Sequence, residues 1–220
     1  MSVEVLQHNQ VRAYLLLTAC VICGLTTSLV TATKVVHVGI NFPFSNLVFS
    51  IFTYPIVDCI CELWGKQAAR QAVYIALGMQ LLMALLIQVS IFFPHADFWS
   101  LQNEYHTILA TSSKVIIASL LAFLVSQILD IFIFQRLKEW SRGKQLWLRS
   151  NISTYVGQAV DSLIFVLIVF SGSEHVLSIL FGSIFVKIIL SLLMTPLVYF
   201  IVFTVHHYLK TDTLAFAAGR

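Results

Sequence analysis

Apolar runs recur along the chain at 14–33, 47–63, 73–93, 107–134, 153–170 and 176–205, each bounded by polar or charged residues. A helix needs roughly 20 apolar residues to cross a bilayer, and these runs have about that length or more. None alternates strictly in the manner of a barrel strand. Because a spanning segment must satisfy its own backbone hydrogen bonds, the pattern predicts helices. The expected fold class is all-α: a polytopic membrane protein with six transmembrane helices in one compact bundle over 13–206. It is flanked by a short segment, 1–12, and a tail, 207–220.

The polar interruptions are informative. In the second run Thr53-Tyr54-Pro55 places a proline where it removes a backbone donor and invites a kink or a broken helix. Asp58 and Glu62 follow one turn apart on one face, Gly65 is placed to end the helix, and Lys66 and Arg70 lie beyond. An ion pair of Glu62 with that local basic end is the plain expectation. The third run, with Gln80 and Gln88, reads as scaffold. Pro94 to His106 is a wetter loop with Asp97 and Glu104, and its Trp99 and Tyr105 suit a membrane interface. The segment 135–150 carries Arg136, Lys138, Arg142, Lys144 and Arg149 against Glu139, a local charge of +4. Basic loops stay on the cytoplasmic side, so this loop and both termini are expected there.

Composition sharpens the class. With 59% hydrophobic and 10% charged residues and a mean hydropathy of +0.89, no soluble domain of this size could hide its apolar surface. The net charge of +3 sits between the runs, which fits membrane orientation and excludes nucleic acid as a partner. The four cysteines lie inside the runs, where thiols pack as small apolar groups. All seven histidines lie near boundaries or outside, so no haem or zinc site, and no other cofactor or metal, is expected. Met1 to Gln10 lacks the basic start and cleavage site of a signal peptide, so the first run should be retained.

The candidate chemistry is intramembrane. An ionisable group at bilayer depth costs several kcal/mol or more and normally faces the protein interior. Here Asp58, Gln127, Asp130, Gln158, Asp161 and Lys187 all fall within the runs, with hydroxyls at Ser153 and Thr154. Lys187 is too deep to reach either surface and needs an anion, for which Asp161 is the nearest candidate. Gln127-x-x-Asp130-x-x-x-Phe134 recurs as Gln158-x-x-Asp161-x-x-x-Phe165, which would set an amide, an acid and a ring on one stripe of each helix.

Three acids against one deep lysine leave excess negative charge, implying protonated carboxyls, a bound cation or a substrate rich in donors. Carboxylates and carboxamides read the donor-acceptor edge of a planar heterocycle, and Tyr54 or Phe165 could stack on its face. A guanine-like edge fits such a set. The same groups could instead tie helices together. A carrier, a binding subunit of a multi-component transporter, and an intramembrane enzyme are the competing functions. The last is the weakest, since no glycine-flanked aspartate pair of an intramembrane protease is present.

Several motifs together resemble one family. Thr53-Tyr54-Pro55 with Asp58, Glu62, Gly65 and Ala69-Arg70 comes first, then Ser126-Gln127 with Asp130. Leu148-Arg149, Ser153-Thr154, and Gln158 with Asp161 and Phe165 follow, and Lys187 and Thr195-Pro196-Leu197-Val198-Tyr199 complete the set. In combined spacing they resemble the YhhQ-type, or VUT, family of queuosine precursor transporters. The resemblance implies an inner-membrane carrier that imports 7-deazaguanine bases for queuosine in transfer RNA: the 7-cyano and 7-aminomethyl compounds, or queuine. It also implies an architecture similar to the substrate-binding subunits of energy-coupling factor transporters. The family commonly has an asparagine in the first span where this chain has Ser28, so no ligand is expected there. The expected substrate-binding set is Tyr54, Asp58, Gln127, Asp130, Ser153, Thr154, Gln158, Asp161, Phe165 and Lys187. Nothing in the pattern bears on oligomeric state or on an energising partner.

Overall fold

The computed structural model describes residues 3–31, 34–37, 41–109, 113–142, 144–169 and 176–218. Helix α1 (Val3–Thr31) leads to a hairpin of β1 (Val35–His37) and β2 (Asn41–Pro43), with Val36 opposite Phe42. A short helix α2 (Ser45–Val48) continues through a π-helical turn, Phe49–Thr53, into α3 (Tyr54–Phe92). Then come α4 (Gln102–Leu109), α5 (Ser113–Trp140), α6 (Leu146–Val169) and α7 (Val176–Ala218). Apart from the hairpin, the fold is helical as expected.

The π turn has a local cause. Pro55 has no N–H to give to the ladder, so it sits in the first turn of α3, and the Tyr54 N–H reaches back to the Phe49 carbonyl, five residues away. The widened turn is met by α1 at Gly24. A Cβ there would lie 3.1 Å from Phe52 Cβ and 3.2 Å from Thr53 Oγ1, so the missing side chain is what allows the approach.

A loop was expected between residues 63 and 73, and the chain instead turns on one residue. Gly65 has φ 82° and ψ 177°, a region open in practice to glycine alone, and helix resumes at Lys66. Without that break the 48-residue run Ser45–Phe92 would be about 70 Å long, twice the hydrocarbon thickness. Among the described residues five helical segments are long and apolar enough to cross a membrane, this run counting as one. The protein is therefore a polytopic, helical membrane protein.

Other boundaries move as well. The fourth span was expected to start at Thr107, which belongs to α4, while α5 is a separate helix from Ser113. The long basic loop is mostly helix: α5 runs to Trp140, α6 starts at Leu146, and the connection turns through Arg142 and Gln145 at φ 49° and 56°. Apolar runs mark only the lipid-matched part of a helix, and Gln, Arg, Lys and Glu carry helix onward into water. For the same reason the expected tail from residue 207 is a continuation of α7 through Ala218. The expected ends at Thr33 and Phe170, and the side chains of His37 and Lys210, fall outside the described residues.

The helices bury small residues and polar groups and turn large apolar ones outward. Ala69, Ala72 and Ala76 are fully buried and let α3 pack closely against α1 and α5, around Val21, Leu25, Ile60, Phe123 and Ile131. Outside, Leu16, Leu86, Phe181, Leu193 and Phe203 are each at least 60% exposed, which suits a lipid solvent and no aqueous one.

Candidate functional site

Four helices and the π turn bring the intramembrane polar residues to one place. The π turn supplies Ser50, and α3 supplies Tyr54 and Asp58 one turn apart. From α5 come Ser126, Gln127 and Asp130, and from α6 a face of Ser150, Ser153, Thr154, Gln158, Asp161 and Ser162. Lys187 reaches in from α7. All of these are buried, none more than 6% exposed.

Gly157 is what lets the layers meet. A Cβ on it would stand 3.1 Å from Asp130 Cβ, 3.2 Å from Tyr54 Cε1 and 3.3 Å from the Ser126 carbonyl oxygen. Beside it the Tyr54 hydroxyl donates to Ser126 Oγ at 3.0 Å, and Ser126 donates to the Phe123 carbonyl at 3.0 Å. The Tyr54 hydroxyl also neighbours Gln127, Asp130 and Asp161, so the ring stands at the centre of the set.

The acids are treated differently. Lys187 Nζ donates to Asp161 Oδ2 at 2.6 Å and to Ser162 Oγ at 2.9 Å, which gives the deep lysine the anion expected for it. On Asp58 one oxygen, Oδ2, accepts from Ser150 through a short contact and from Thr154 at 3.3 Å. Its other oxygen has no hydrogen-bond partner. Asp130 lies next to Asp58 and Ser153, yet neither of its oxygens makes a hydrogen bond of ordinary geometry. Gln158 donates weakly to Ser50 Oγ at 3.4 Å and leaves Oε1 unpaired, while Gln127, beside the Tyr54 hydroxyl, makes no hydrogen bond of ordinary geometry through either polar atom.

Buried polar atoms are normally hydrogen-bonded, and one left over costs about 1–3 kcal/mol. Six such atoms here, on Asp58, Gln127, Asp130 and Gln158, converge from three helices. They are five acceptor oxygens and one amide donor, which fits a small molecule richer in N–H groups than in acceptors.

The two predicted stripes are only half alike. Gln127 and Asp130 face the cluster, but Phe134 packs under the Arg149 guanidinium, 5.4 Å from ring centroid to Cζ. Phe165 is half-buried one turn beyond Asp161. Ser153 and Thr154 join the set through Asp130 and Asp58.

Glu62 and Arg149 depart from expectation. Glu62 does not pair locally with Lys66 or Arg70; its Oε2 lies 2.6 Å from Arg149 Nη2 and 3.0 Å from Lys138 Nζ, joining α3, α5 and α6. Arg149 was expected in an exposed basic loop and is 2% exposed, with Nη1 also donating to the Lys144 carbonyl at 3.1 Å. A guanidinium sheds water more readily than an ammonium and can stack on a ring, so arginine suits this position.

Beyond it, α7 is fastened to α6 around Pro196. Asn151 Nδ2 lies 2.9 Å from Thr195 Oγ1, and the Trp147 N–H donates to Tyr199 Oη at 3.0 Å. Sequence reasoning met Ser126 only inside the family motif and gave no site role to Ser50, Ser150, Gly157 or Ser162. For Ser150 and Gly157 a signal existed, since with Thr154 and Asp161 they repeat at four, three and four residues along one helical face.

A family model described as "Putative vitamin uptake transporter" matches residues 43–201. The chain belongs to this vitamin uptake transporter family. The match spans every residue of the cluster from Ser50 to Lys187 and leaves α1 outside. Membership in a transporter family also sets aside the enzyme reading. A "Probable queuosine precursor transporter" of Bacillus subtilis (strain 168) is 28% identical over 165 residues, covering 73% of this chain and 72% of the relative. A protein of the same name from Haemophilus influenzae is 26% identical over 137 residues, 60% and 55% of the two chains. The "Queuosine precursor transporter" of Escherichia coli (strain K12) is 24% identical over 167 residues, 70% and 73% of the two chains. No solved structure matches.

Proposed function

We propose that this protein carries 7-deazaguanine precursors of queuosine into the cell, and that the buried cluster around Tyr54 holds the base. The names of the three relatives support the substrate class. The observation that carries the site is the set of unpaired atoms on Gln127, Asp130 and Gln158. A 7-deazaguanine presents an adjacent ring N–H and amino group, which one carboxylate accepts together, and a carbonyl that an amide satisfies. Asp130 takes the donor pair, Gln127 meets the carbonyl, and Gln158 Oε1 accepts a further N–H. Tyr54 or Phe165 covers the ring face.

Lys187 is engaged by Asp161, so its part is to balance charge beside the base. Ser153 and Thr154 hold the carboxyls in place. A base in so dry a site is chosen by its bonding edge, because an analogue lacking a donor strands a buried acceptor. The near-zero exposure of the set corresponds to a closed state, from which the helices must part to admit substrate.

In this reading the chain crosses the inner membrane six times, with Gly65 dividing 45–64 from 66–92 and both termini in the cytoplasm. The test is uptake by a host unable to make queuosine precursors, supplied with the 7-cyano or the 7-aminomethyl base or with queuine, reading queuosine in its transfer RNA. Queuosine should appear with at least one precursor only when the protein is expressed. Its absence with all three, in cells that insert the protein normally, would refute the substrate assignment. Purified protein in vesicles then separates a carrier, which moves substrate alone, from a binding subunit, which does not.

A further inference from the structure

Asp58 and Asp130 raise a question that base binding leaves open. They are neighbouring acids, 1% and 0% exposed, on facing helices. The charged groups near them are already engaged. Lys187 is held by Asp161 and Ser162, while Arg149 and Lys138 are drawn to Glu62, one turn beyond Asp58. The remaining titratable groups beside the pair among the described residues, Tyr54 and the Cys59 and Cys61 thiols, bring no positive charge. Two like charges side by side in a dry, low-dielectric site are strongly disfavoured, so the pair needs a positive charge that none of the described side chains supplies.

The two acids are also bonded unequally. Asp58 Oδ2 receives two hydroxyl donors, whereas Asp58 Oδ1 and both oxygens of Asp130 make no hydrogen bond of ordinary geometry. Gln127, fully buried and with neither polar atom in a hydrogen bond of ordinary geometry, lies one turn from Asp130 and beside the same Tyr54 hydroxyl. It marks Asp130 as the acid that receives the base, and Asp58, held by Ser150 and Thr154, is the other member of the pair.

We propose that Asp58 is a proton-coupling site: it takes up one proton from the outer solution together with substrate, moves with it through the closed state, and releases it inside. This rests on the carrier reading above. The steps balance as simple proton transfer. The proton bonds to a carboxylate oxygen of Asp58 and is shared toward Asp130. Asp130 stays ionised to accept the N–H pair of the base, and opening to the inside returns the proton to water. A protonated Asp58 removes the repulsion that would otherwise oppose an ionised Asp130, so proton and substrate favour each other's binding. The Glu62, Arg149 and Lys138 network closes one end of the same helices and is a separate element.

The experiment uses the purified full-length protein in liposomes with labelled 7-cyano-7-deazaguanine, a neutral substrate whose movement carries no charge of its own. An inward proton gradient should raise substrate at least fivefold above equilibration, a protonophore should abolish the excess, and substrate addition should make a weakly buffered outer medium more alkaline. Base binding by the parent should weaken as the pH is raised, and Asp58→Asn should make binding independent of pH and lose gradient-driven accumulation and the alkaline shift. Exchange in the parent that ignores the proton gradient, or accumulation that follows a sodium gradient instead, would overturn the proposal while leaving the carrier reading intact. An Asp58→Asn variant that still accumulates substrate on a proton gradient would also overturn it. Base binding with no movement under any gradient would overturn both.

Discussion

Replacing Gln127 with methionine separates a binding role from a packing role, because the two predict opposite changes in stability. Gln127 is fully buried, and neither its Nε2 nor its Oε1 makes a hydrogen bond of ordinary geometry. An unsatisfied buried polar group costs about 1–3 kcal/mol. Methionine has a similar length and flexibility and no strong polar atom, so it fills the space without that cost. The substrate-free Gln127→Met protein should be more stable than the parent by about 2 kcal/mol, roughly a 30-fold change in the folded-to-unfolded ratio.

Binding should move the other way. Losing the amide's bonds to the base removes about 1.5–3 kcal/mol, which is at least tenfold in affinity. Denaturant unfolding in detergent, followed by tryptophan fluorescence without substrate, checks the first effect, and calorimetric titration with 7-cyano-7-deazaguanine checks the second. A variant less stable than the parent would mean the carboxamide is a structural tie. Unchanged affinity would mean the base does not touch it. Stability gained at the expense of function is a common signature of a binding site.

The paired residues should behave in the opposite sense. Lys187→Met strands the Asp161 carboxylate at its 2.6 Å contact and should lower stability by about 3–5 kcal/mol. Adding Asp161→Asn should recover most of that loss in the same unfolding assay, and a double variant no better than the single one would contradict the pairing. Gly157→Ala pushes a methyl to 3.1 Å from Asp130 Cβ and 3.2 Å from Tyr54, so it should cost about 1–3 kcal/mol and weaken base binding, read by unfolding and titration together. Normal behaviour in both would mean α5 and α6 are less tightly apposed. Gly65→Ala meets nothing within 4 Å, so its cost is backbone strain alone at φ 82°, about 1–3 kcal/mol, visible as a lowered unfolding midpoint with substrate affinity retained. An unshifted midpoint would count against the left-handed turn.

Much of this protein is written in its one-dimensional pattern, for a physical reason. Lipid rewards apolar side chains along whole helices, so runs of the right length announce the class of the molecule and the helical state of its spans. The expense of a charge at bilayer depth likewise singles out Asp58, Asp130, Asp161 and Lys187 before any coordinates are seen. Helical spacing places Gln127 with Asp130 and Gln158 with Asp161 on shared faces. It says nothing of what those faces meet.

Partnership depends on how helices distant in sequence are packed, and there local reasoning ran out. Glu62 looked nearest to Lys66 and Arg70, yet packing of α5 and α6 against α3 gives it Lys138 and Arg149. Phe134 matches Phe165 in the pattern and lies under a guanidinium in space. Gly157 reads as one more small residue until Tyr54 and Asp130 close on it from two other helices. Above all, the acids are equivalent as letters. Only the folded chain divides them into one carboxylate matched by Lys187 and two left facing each other, since that depends on which side chains reach the same few ångströms of dry space.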